Sequence, residues 1–555
     1  MPLKVLLYYP NWYNINWIPL GVSILYTRLK EKGIIVELFD TTFYNLIGSG
    51  NKSDRSMLRE SDLQKGIKQG QYMESNFENF VTFDPVTFED LTTKFIEVLD
   101  EFKPDLIAVS GYFESFELAV EMLQMSNVKV PVIIGGIDPT VAPDEVISSD
   151  CCDIICIGEG ELPITELCDR MVKGQDYTNI KNLWVKQNGR VIKNELRNLM
   201  DLSHVPIPDF SIFDERYFYQ QFLDGVYRTA PYQIVRGCPY SCKYCNIPSI
   251  RDDVYDGLGK YLRRKSFTEV TAELRHIKEN YNIEIIRFVD DTFLAMSTDE
   301  LRELAALYVQ NVDLPFFINT RPETVTREKA AILKQMKCVS VSIGLECGNE
   351  KIRKMMLRDM PEEIMINAFR YLREVDIRTS SQTMIGLPFE NRKTIFETIE
   401  LNRKCDASAV SAHIFYPCKG TPLRDICINE GFIKGDEKVE STQTTSILKL
   451  PDITSEEIEA LKKTFSLYVS LPKILYPLIR VCEGNNLLSK LLLQFFVKLT
   501  VRRQSKLSST IKIKSYLKEK SDLGLREAEE AVDKRLLALD PAENKPWTWD
   551  HSYHS

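Results

Sequence analysis

Residues 236–248 read RGCPYSCKYCNIP and place Cys238, Cys242 and Cys245 on one short stretch of a chain with 13 cysteines in 555 residues. Thiolates are soft metal ligands, and the spacing C-x3-C-x2-C brings three of them to a single loop. A structural zinc site takes four protein ligands, commonly as two close pairs. Here no neighbouring CxxC completes a set, and His204 and His276, the nearest histidines, are remote in sequence. Cysteine also holds iron–sulfur clusters, and three thiolates on a cubane leave one iron free for another ligand. Zinc and plain core cysteines are the competing readings.

A loop that does chemistry needs a frame. The chain is long enough for about three or four units of roughly 150 residues, and 44% hydrophobic with 10% aromatic residues supports ordinary globular cores. A net charge of −9 speaks against general nucleic-acid binding. No secretory leader opens the chain, and apolar runs such as Leu491 to Leu499 end well short of a membrane span. A cytoplasmic protein whose cysteines are thiols or metal ligands is expected.

From about Tyr232 to Ser446, strand patterns alternate with helical ones. Strands are expected at Tyr232 to Val235, Glu284 to Val289, Phe316 to Asn319, Val339 to Ile343, Arg378 to Ile385 and Ala409 to Phe415. Helices are expected at Glu269 to Glu279, Thr298 to Val309, Glu328 to Met336, Glu362 to Glu374 and Arg392 to Lys404. Six such repeats predict a partial (β/α)6 TIM-like barrel, with chemistry at the carboxyl ends of its strands. The cysteine loop follows the first of them.

Before this region, Lys4 to Tyr9, Val36 to Phe39, Leu106 to Ser110, Val132 to Gly136 and Ile154 to Gly158 read as buried strands, and Gly21 to Lys32 as a helix stopped by Gly33. Strands apolar on both faces predict a doubly wound, Rossmann-like parallel sheet. Glycines gather at the carboxyl edge of that sheet, where such folds bind ligands, although turns alone also call for them. After about Leu450 the chain reads as helical, with eleven Lys or Arg against two Glu between Leu471 and Lys520. That suits an anionic membrane surface or a cover over a greasy substrate, or simply a solvated helical cap. The expected division is 1–212, 213–450 and 451–555.

The cysteine loop resembles that of radical S-adenosylmethionine (SAM) enzymes, with Tyr244 at the aromatic position of C-x3-C-x-aromatic-C. The likeness continues through Phe288-Val289-Asp290-Asp291-Thr292-Phe293, Ile343-Gly344-Leu345-Glu346, Met355-Met356-Leu357-Arg358, Met384-Ile385-Gly386-Leu387-Pro388 and Tyr416-Pro417-Cys418-Lys419-Gly420-Thr421-Pro422-Leu423. It implies a [4Fe–4S] cluster on Cys238, Cys242 and Cys245 whose open iron chelates SAM. It further implies SAM contacts from Tyr244, Asp290, Asp291, Glu346, Arg358, Ile385 and Gly386. Asp290 as a helix N-cap, Glu346 as a structural group and Arg358 as a surface residue are the alternatives. Cys347 and Cys418 read as packing residues, with Cys418 bordering the site.

The first segment resembles the cobalamin-binding domain that often precedes this core. The likeness implies contacts from Ser110, Gly111, Gly135, Gly136, Pro139, Thr140, Gly158, Glu159 and Gly160 to cobalamin. The D-x-H-x-x-G element that supplies a histidine to cobalt is absent, and Asp138 stands where histidine is frequent; a domain retained only as scaffold is the alternative. Together the two likenesses imply a cobalamin-dependent methyltransferase acting on an unactivated carbon through a 5′-deoxyadenosyl radical. A cyclase or ring-rearrangement enzyme without methyl transfer, or a cobalamin or Fe–S sensor, are the other readings. The implied partners are a small-molecule substrate, tilted towards a hydrophobic one, and an electron donor such as flavodoxin or ferredoxin. No nucleic acid is implied, and the basic tail suggests peripheral membrane contact.

Overall fold

The computed structural model describes residues 2–11, 16–46, 80–111, 114–222, 225–435, 437 and 445–508. Two seven-stranded sheets organise them. In the first, the order is Ile35–Asp40, Lys4–Tyr9, Leu106–Gly111, Val132–Gly136, Ile154–Cys156, Leu183–Gln187 and Arg190–Lys193. The first five strands run parallel. Successive residues of Lys4–Tyr9 enter different cores: Val5, Leu7 and Tyr9 join one apolar cluster, Leu6 and Tyr8 another. Both faces are covered, as continuous apolar strands require. The chain reverses its direction of travel between Lys4–Tyr9 and Leu106–Gly111, the switch point where a doubly wound sheet opens a crevice.

The antiparallel pair Leu183–Gln187 and Arg190–Lys193 was not expected at this edge. Its signal is local: Asn188 and Gly189 both take positive φ, 50° and 74°, as a two-residue hairpin turn demands.

The second sheet orders Tyr219–Phe222, Gly225–Tyr232, Ile285–Phe288, Phe316–Thr320, Cys338–Glu346, Arg378–Ile385 and Ala409–Ile414. Six strands are parallel and form the partial barrel; Tyr219–Phe222 adds an antiparallel edge. The first parallel strand ends at Tyr232, where sequence alone starts it. Pro231 masks it, because proline lacks the amide that a central strand uses. That loss is harmless here. Tyr219–Phe222 pairs only with residues 225–228, so beyond them the strand has a neighbour on one side alone.

One apolar cluster runs from the first sheet (Val5, Ile154) into the barrel (Tyr232, Phe288, Ile318), so the two units share a core. Side-chain caps start the barrel helices; Ser266 with Glu269 and Ser297 with Glu300 form reciprocal capping boxes. The helical region comprises Ser455–Ser470, Tyr476–Cys482 and Leu487–Ser508. Ile458, Leu461 and Phe465 bury against Ile385 and Ile414, closing the last barrel strands from outside. The basic run after residue 508 lies outside the described residues, among which no helix is long and apolar enough to cross a membrane.

Gly348 packs directly on backbone: a Cβ there would collide with the Glu397 carbonyl oxygen and the Thr398 Cα. Backbone cannot yield as a side chain does. Gly348→Ala is expected to cost about 3 kcal/mol, at the upper end for overpacking. Gly21→Ala, in the helix Leu20–Glu31 with nothing within 4 Å, is expected to stabilise by about 0.5–1 kcal/mol. Denaturant unfolding of both variants checks the contrast.

Candidate active site

The cysteine loop has little regular structure, so other elements must hold it. Its base, Val235–Arg236, pairs antiparallel with Arg263–Arg264. Gly237 then turns with φ +97°, and any Cβ would lie 2.8 Å from the Tyr261 ring. From below, the Asp290 carboxylate accepts the amides of Ile234 (3.1 Å) and Val235 (2.7 Å). Arg251 donates to the carbonyls of Cys238 (3.3 Å) and Tyr240 (3.2 Å) and to the Ser241 hydroxyl (2.9 Å). The Lys243 amide donates to Met356 O at 3.1 Å, and the Leu423 amide donates to Lys243 O at 3.0 Å. Two motifs distant in sequence are thereby tied to one loop residue.

Arg321 was missed by sequence reasoning. Its Nη1 donates to Cys242 Sγ at 2.7 Å, its guanidinium lies 3.8 Å from the Tyr240 ring centroid, and Glu323 pairs with it at 2.5 Å. The available signal was position: Arg321 immediately follows the third parallel strand, at the barrel end that carries chemistry. Burial raises the Cys238 thiol and pushes Cys245 up to about 12. Thiols in such surroundings become thiolates only against positive charge, which bound iron would supply. The donor set fits an iron–sulfur cluster on these grounds. Among the described residues, no three histidine, cysteine or acidic side chains converge on one metal-ion position. A cubane asks for a wider arrangement, with each cysteine on its own iron.

The expected fourth-strand residues come together with Tyr244. Glu346 sits at a register irregularity with φ +63°, and its Oε1 accepts from Tyr244 Oη at 3.2 Å. Arg358 is 2% exposed, not a surface residue. Its Nη2 donates to the Gly344 carbonyl and stands 3.9 Å from Glu346 Oε1, while its buried Nε has no hydrogen-bond partner. Burial raises the Glu346 carboxyl, with Arg358 and Tyr244 opposing. Burial likewise works against the Arg358 cation, but the neighbouring Tyr244 and Glu346 hold it firmly charged. An unfilled donor beside a carboxylate suits a zwitterionic ligand.

The remaining barrel residues divide. Asp291 has an exposed side chain, although the surrounding protein raises its carboxyl, and its charge acts on Cys238 and Cys245. Asp290 is 2% exposed; burial pushes it up to about 7, and its two amide partners oppose that. It is not a helix cap: the side chain clamps the segment that leads into the loop. Ile385 is fully buried in the apolar cluster under the helical region, so it offers a cofactor only backbone. Gly386, with φ +77°, donates its amide to Glu390 at 2.6 Å.

At the glycine-rich edge of the first sheet, Gly111 lies against Pro10 and Ser115, and Ser110 beside it is half-buried. Gly135 pairs with Ser110 and Gly136 with Gly111. Gly136 takes φ +116° and packs so closely that a Cβ would meet Gly111 O at 2.6 Å. Pro139 and Thr140 are buried, and the Thr140 hydroxyl joins two loops by donating to Gly136 O (2.7 Å) and accepting from the Gly158 amide (2.9 Å). Gly158 makes room for Tyr255, whose hydroxyl accepts the Glu159 amide. Gly160 begins the helix Glu161–Val172. The side-chain oxygens of Thr140 and Glu159, both expected by resemblance near cobalamin, are engaged with other protein groups.

Glu159 instead fastens this edge to the barrel. It pairs with Arg236 at 3.0 Å and Arg263 at 2.6 Å, while Glu161 takes the other nitrogen of Arg236 at 2.5 Å. On the opposite rim, Lys419 pairs with Glu145, and Gly420 packs on Val141. Burial pushes the adjacent Cys418 up to about 11, with Arg424 opposing and Asp138 adding to the rise. Cys347 is fully buried and likewise pushed to about 12. The carboxyl ends of the two sheets therefore face one another.

Residues 232–401 match the radical SAM superfamily, and residues 76–168 match the B12 binding domain. An uncharacterized methyltransferase of Pyrococcus horikoshii is 26% identical over 400 residues, spanning 71% of this chain and 83% of that protein. The structure of the radical SAM methyltransferase TsrM from Kitasatospora setae, with cobalamin and a [4Fe–4S] cluster bound, aligns with a TM-score of 0.60 at 15% identity over 91% of this chain and all of that one. The cobalamin-dependent SAM radical enzyme OxsB, with aqua-cobalamin and SAM, aligns at 0.61 and 15% identity over 97% of this chain and 75% of its own. At such identities the structural likeness speaks for the fold.

Net of its burial, which alone would raise it, Glu159 is held below its ordinary 4.5 by Arg263 and Arg236. A lowered carboxylate stabilises the fold fully above its unfolded value and loses that contribution as pH falls through the folded one. Glu159→Gln is expected to cost about 3 kcal/mol at pH 7. That deficit should shrink only below about pH 4.5. Unfolding free energies measured against pH decide the matter; a deficit that ignores acid would remove the ion-pair account.

Proposed function

The chain is a radical SAM superfamily protein with a B12-binding domain, and from that premise we propose that it methylates an unactivated carbon of a small-molecule substrate in a cobalamin-dependent reaction. The observation that carries this reading is the apposition of the cysteine loop with the glycine-rich edge, seamed by Arg236, Arg263 and Lys419. Cys238, Cys242 and Cys245 would hold a [4Fe–4S] cluster facing that edge, and with SAM and cobalamin bound the site would be supplied with hydrogen-atom abstraction and methyl-transfer chemistry.

In this reading Cys238, Cys242 and Cys245 hold the cluster, and Arg321 donates a hydrogen bond to the sulfur of Cys242. Tyr244, Glu346 and Arg358 orient SAM, the unfilled Arg358 Nε towards its carboxylate, and the open Asp291 towards its amine. Asp290, Ile385 and Gly386 act through backbone placement. Ser110, Gly111, Gly135, Gly136, Gly158 and Gly160 offer cobalamin a surface without bulky side chains, and Pro139, Thr140 and Glu159 keep its walls in place. Units 1–212, 213–450 and 451–555 then supply the cobalamin site, the radical site and an outer cover.

Anaerobic protein reconstituted with cobalamin and methyl-labelled SAM, reduced by flavodoxin or ferredoxin and given cell extract, is expected to release 5′-deoxyadenosine and pass label to a small molecule. Replacing any one of the three loop cysteines with Ala should abolish the deoxyadenosine. Deoxyadenosine without transferred label would assign the chain to the non-methylating enzymes instead.

The same reading includes contact with an anionic membrane. Eight of the eighteen exposed large hydrophobic side chains among the described residues lie between Ile474 and Leu499. On the helix Leu487–Ser508, Leu488, Leu491, Phe495 and Leu499 form one exposed stripe, with the exposed Lys490 and Lys498 beside it. Such a surface suits an anionic interface. The full chain should float with vesicles containing phosphatidylserine, and Leu491→Glu/Phe495→Glu should leave it in the soluble fraction; equal flotation of both would refute the contact.

A further inference from the structure

The barrel interior carries positive charge that the fold leaves without an acidic partner. Alternation along the strands assigns the faces. Phe288 and Phe316 meet Tyr308 of the surrounding helix Thr298–Asn311, with ring centroids 6.2 and 5.3 Å apart. Ser381 bonds Asn402 of the helix Arg392–Cys405. Arg287, Phe317 and Arg378, on the alternate positions, therefore face the bore. Strand register sets them in one layer: Arg287 opposite Phe317, Phe317 opposite Ser340, and Ser340 opposite Arg378. Beneath that layer a small apolar cluster of Tyr227, Ile285 and Val339 plugs the amino-terminal end.

Arg287 rests 3.9 Å from the ring centroid of Trp17, which enters from the first domain, and its buried Nε has no hydrogen-bond partner. Among the described residues, no carboxylate pairs with Arg287 or Arg378. Burial lowers Arg287 to about 10 and lowers Arg378 as well, with no acid to counter it. Higher in the bore, Gln382 bonds Ser342 (2.9 Å) and His413 (3.2 Å), and His413 is lowered by burial and then by the charge of Lys462. A chain of net charge −9 thus keeps a cationic interior. Enclosing a cation without a counter-ion is costly, and guanidinium groups are shaped to grip carboxylate and phosphate oxygens.

We propose that the bore receives an oxyanion of the substrate, a carboxylate or a phosphate-type group, on Arg287 and Arg378 at its floor. Arg287 lies on the strand Ile285–Phe288, which leads at its carboxyl end into the segment that carries Asp291. The substrate is then an elongated anion whose far end reaches the cysteine loop. This rests on the reading of the site as that of a radical enzyme with a small-molecule substrate.

Isothermal titration calorimetry on the reconstituted holoenzyme, saturated with SAM so that its own carboxylate site is filled, tests the inference with pyrophosphate and glutarate as probes. One of them is expected to bind saturably, which also separates the phosphate from the carboxylate source. Arg378→Gln and Arg287→Gln should each weaken it at least tenfold, and Arg378→Lys should weaken it less than Arg378→Gln, since the charge survives without the forked donor. Lys393→Gln on the outer face should change nothing. Near-ultraviolet circular dichroism verifies that each variant is folded. Absence of saturable binding by both probes, or binding indifferent to both glutamine variants, would overturn the inference. Deoxyadenosine release from the same preparation is read separately: a protein that binds the anion but never cleaves SAM would sink the radical-enzyme reading and leave the anion site standing.

Discussion

Three thiols on an irregular loop have to be kept at fixed positions by groups that are not part of the loop. Apart from Arg236, which reaches the first domain, the loop is tied to successive barrel elements: Asp290 after the second parallel strand, Arg321 after the third, Met356 beyond the fourth and Leu423 beyond the sixth. Each comes from the carboxyl side of its strand, so the barrel is the device that sets the separation of the sulfurs. The cost is visible in the carboxylates and thiols that burial pushes towards neutrality. Such groups accept that penalty only where a compensating charge is close or arrives with a ligand.

The second constraint is how two sheets meet. The first sheet ends in glycines that leave its edge low, and the barrel ends in loops rich in charged groups. Arg236 is central because it follows the first barrel strand and pairs with both Glu159 and Glu161. The residue that opens the cysteine loop is thus also the residue that docks the first domain. A displacement of the edge would be felt at the loop two residues away, which couples the two candidate cofactor surfaces mechanically. The shared apolar cluster makes that docking a packed interface with little freedom to rock.

Charge distribution completes the picture. Acidic groups lie at the mouth, with Asp291 open beside the cysteines and Glu346 buried beneath, whereas the interior below them is cationic. A molecule entering such a gradient is oriented before it is gripped, its negative end drawn inwards. Orientation of this kind matters where one bond among many must meet a reactive centre.

Short-range pattern made much of the fold legible from the chain alone. Arg378–Ile385 and Glu362–Glu374 follow directly from apolar periodicity, and the cysteine spacing announced soft-ligand chemistry without any structure. Periodicity failed where an edge relaxes the usual rules, as at Pro231, and where a hairpin closes a parallel sheet after Ile154–Cys156. It could not assign partners. Thr140 and Glu159 are expected near cobalamin by resemblance alone, and only the tertiary packing shows which protein groups their side-chain oxygens engage. Arg321, Arg287 and Arg378 are ordinary arginines in sequence, separated by dozens of residues. Their meaning comes from register and barrel closure, which bring a cation onto a thiol in one case and place two in a common layer in the other. Local chemistry is encoded by neighbours along the chain; electrostatics and burial depend on neighbours in space, and those exist only once the strands have paired.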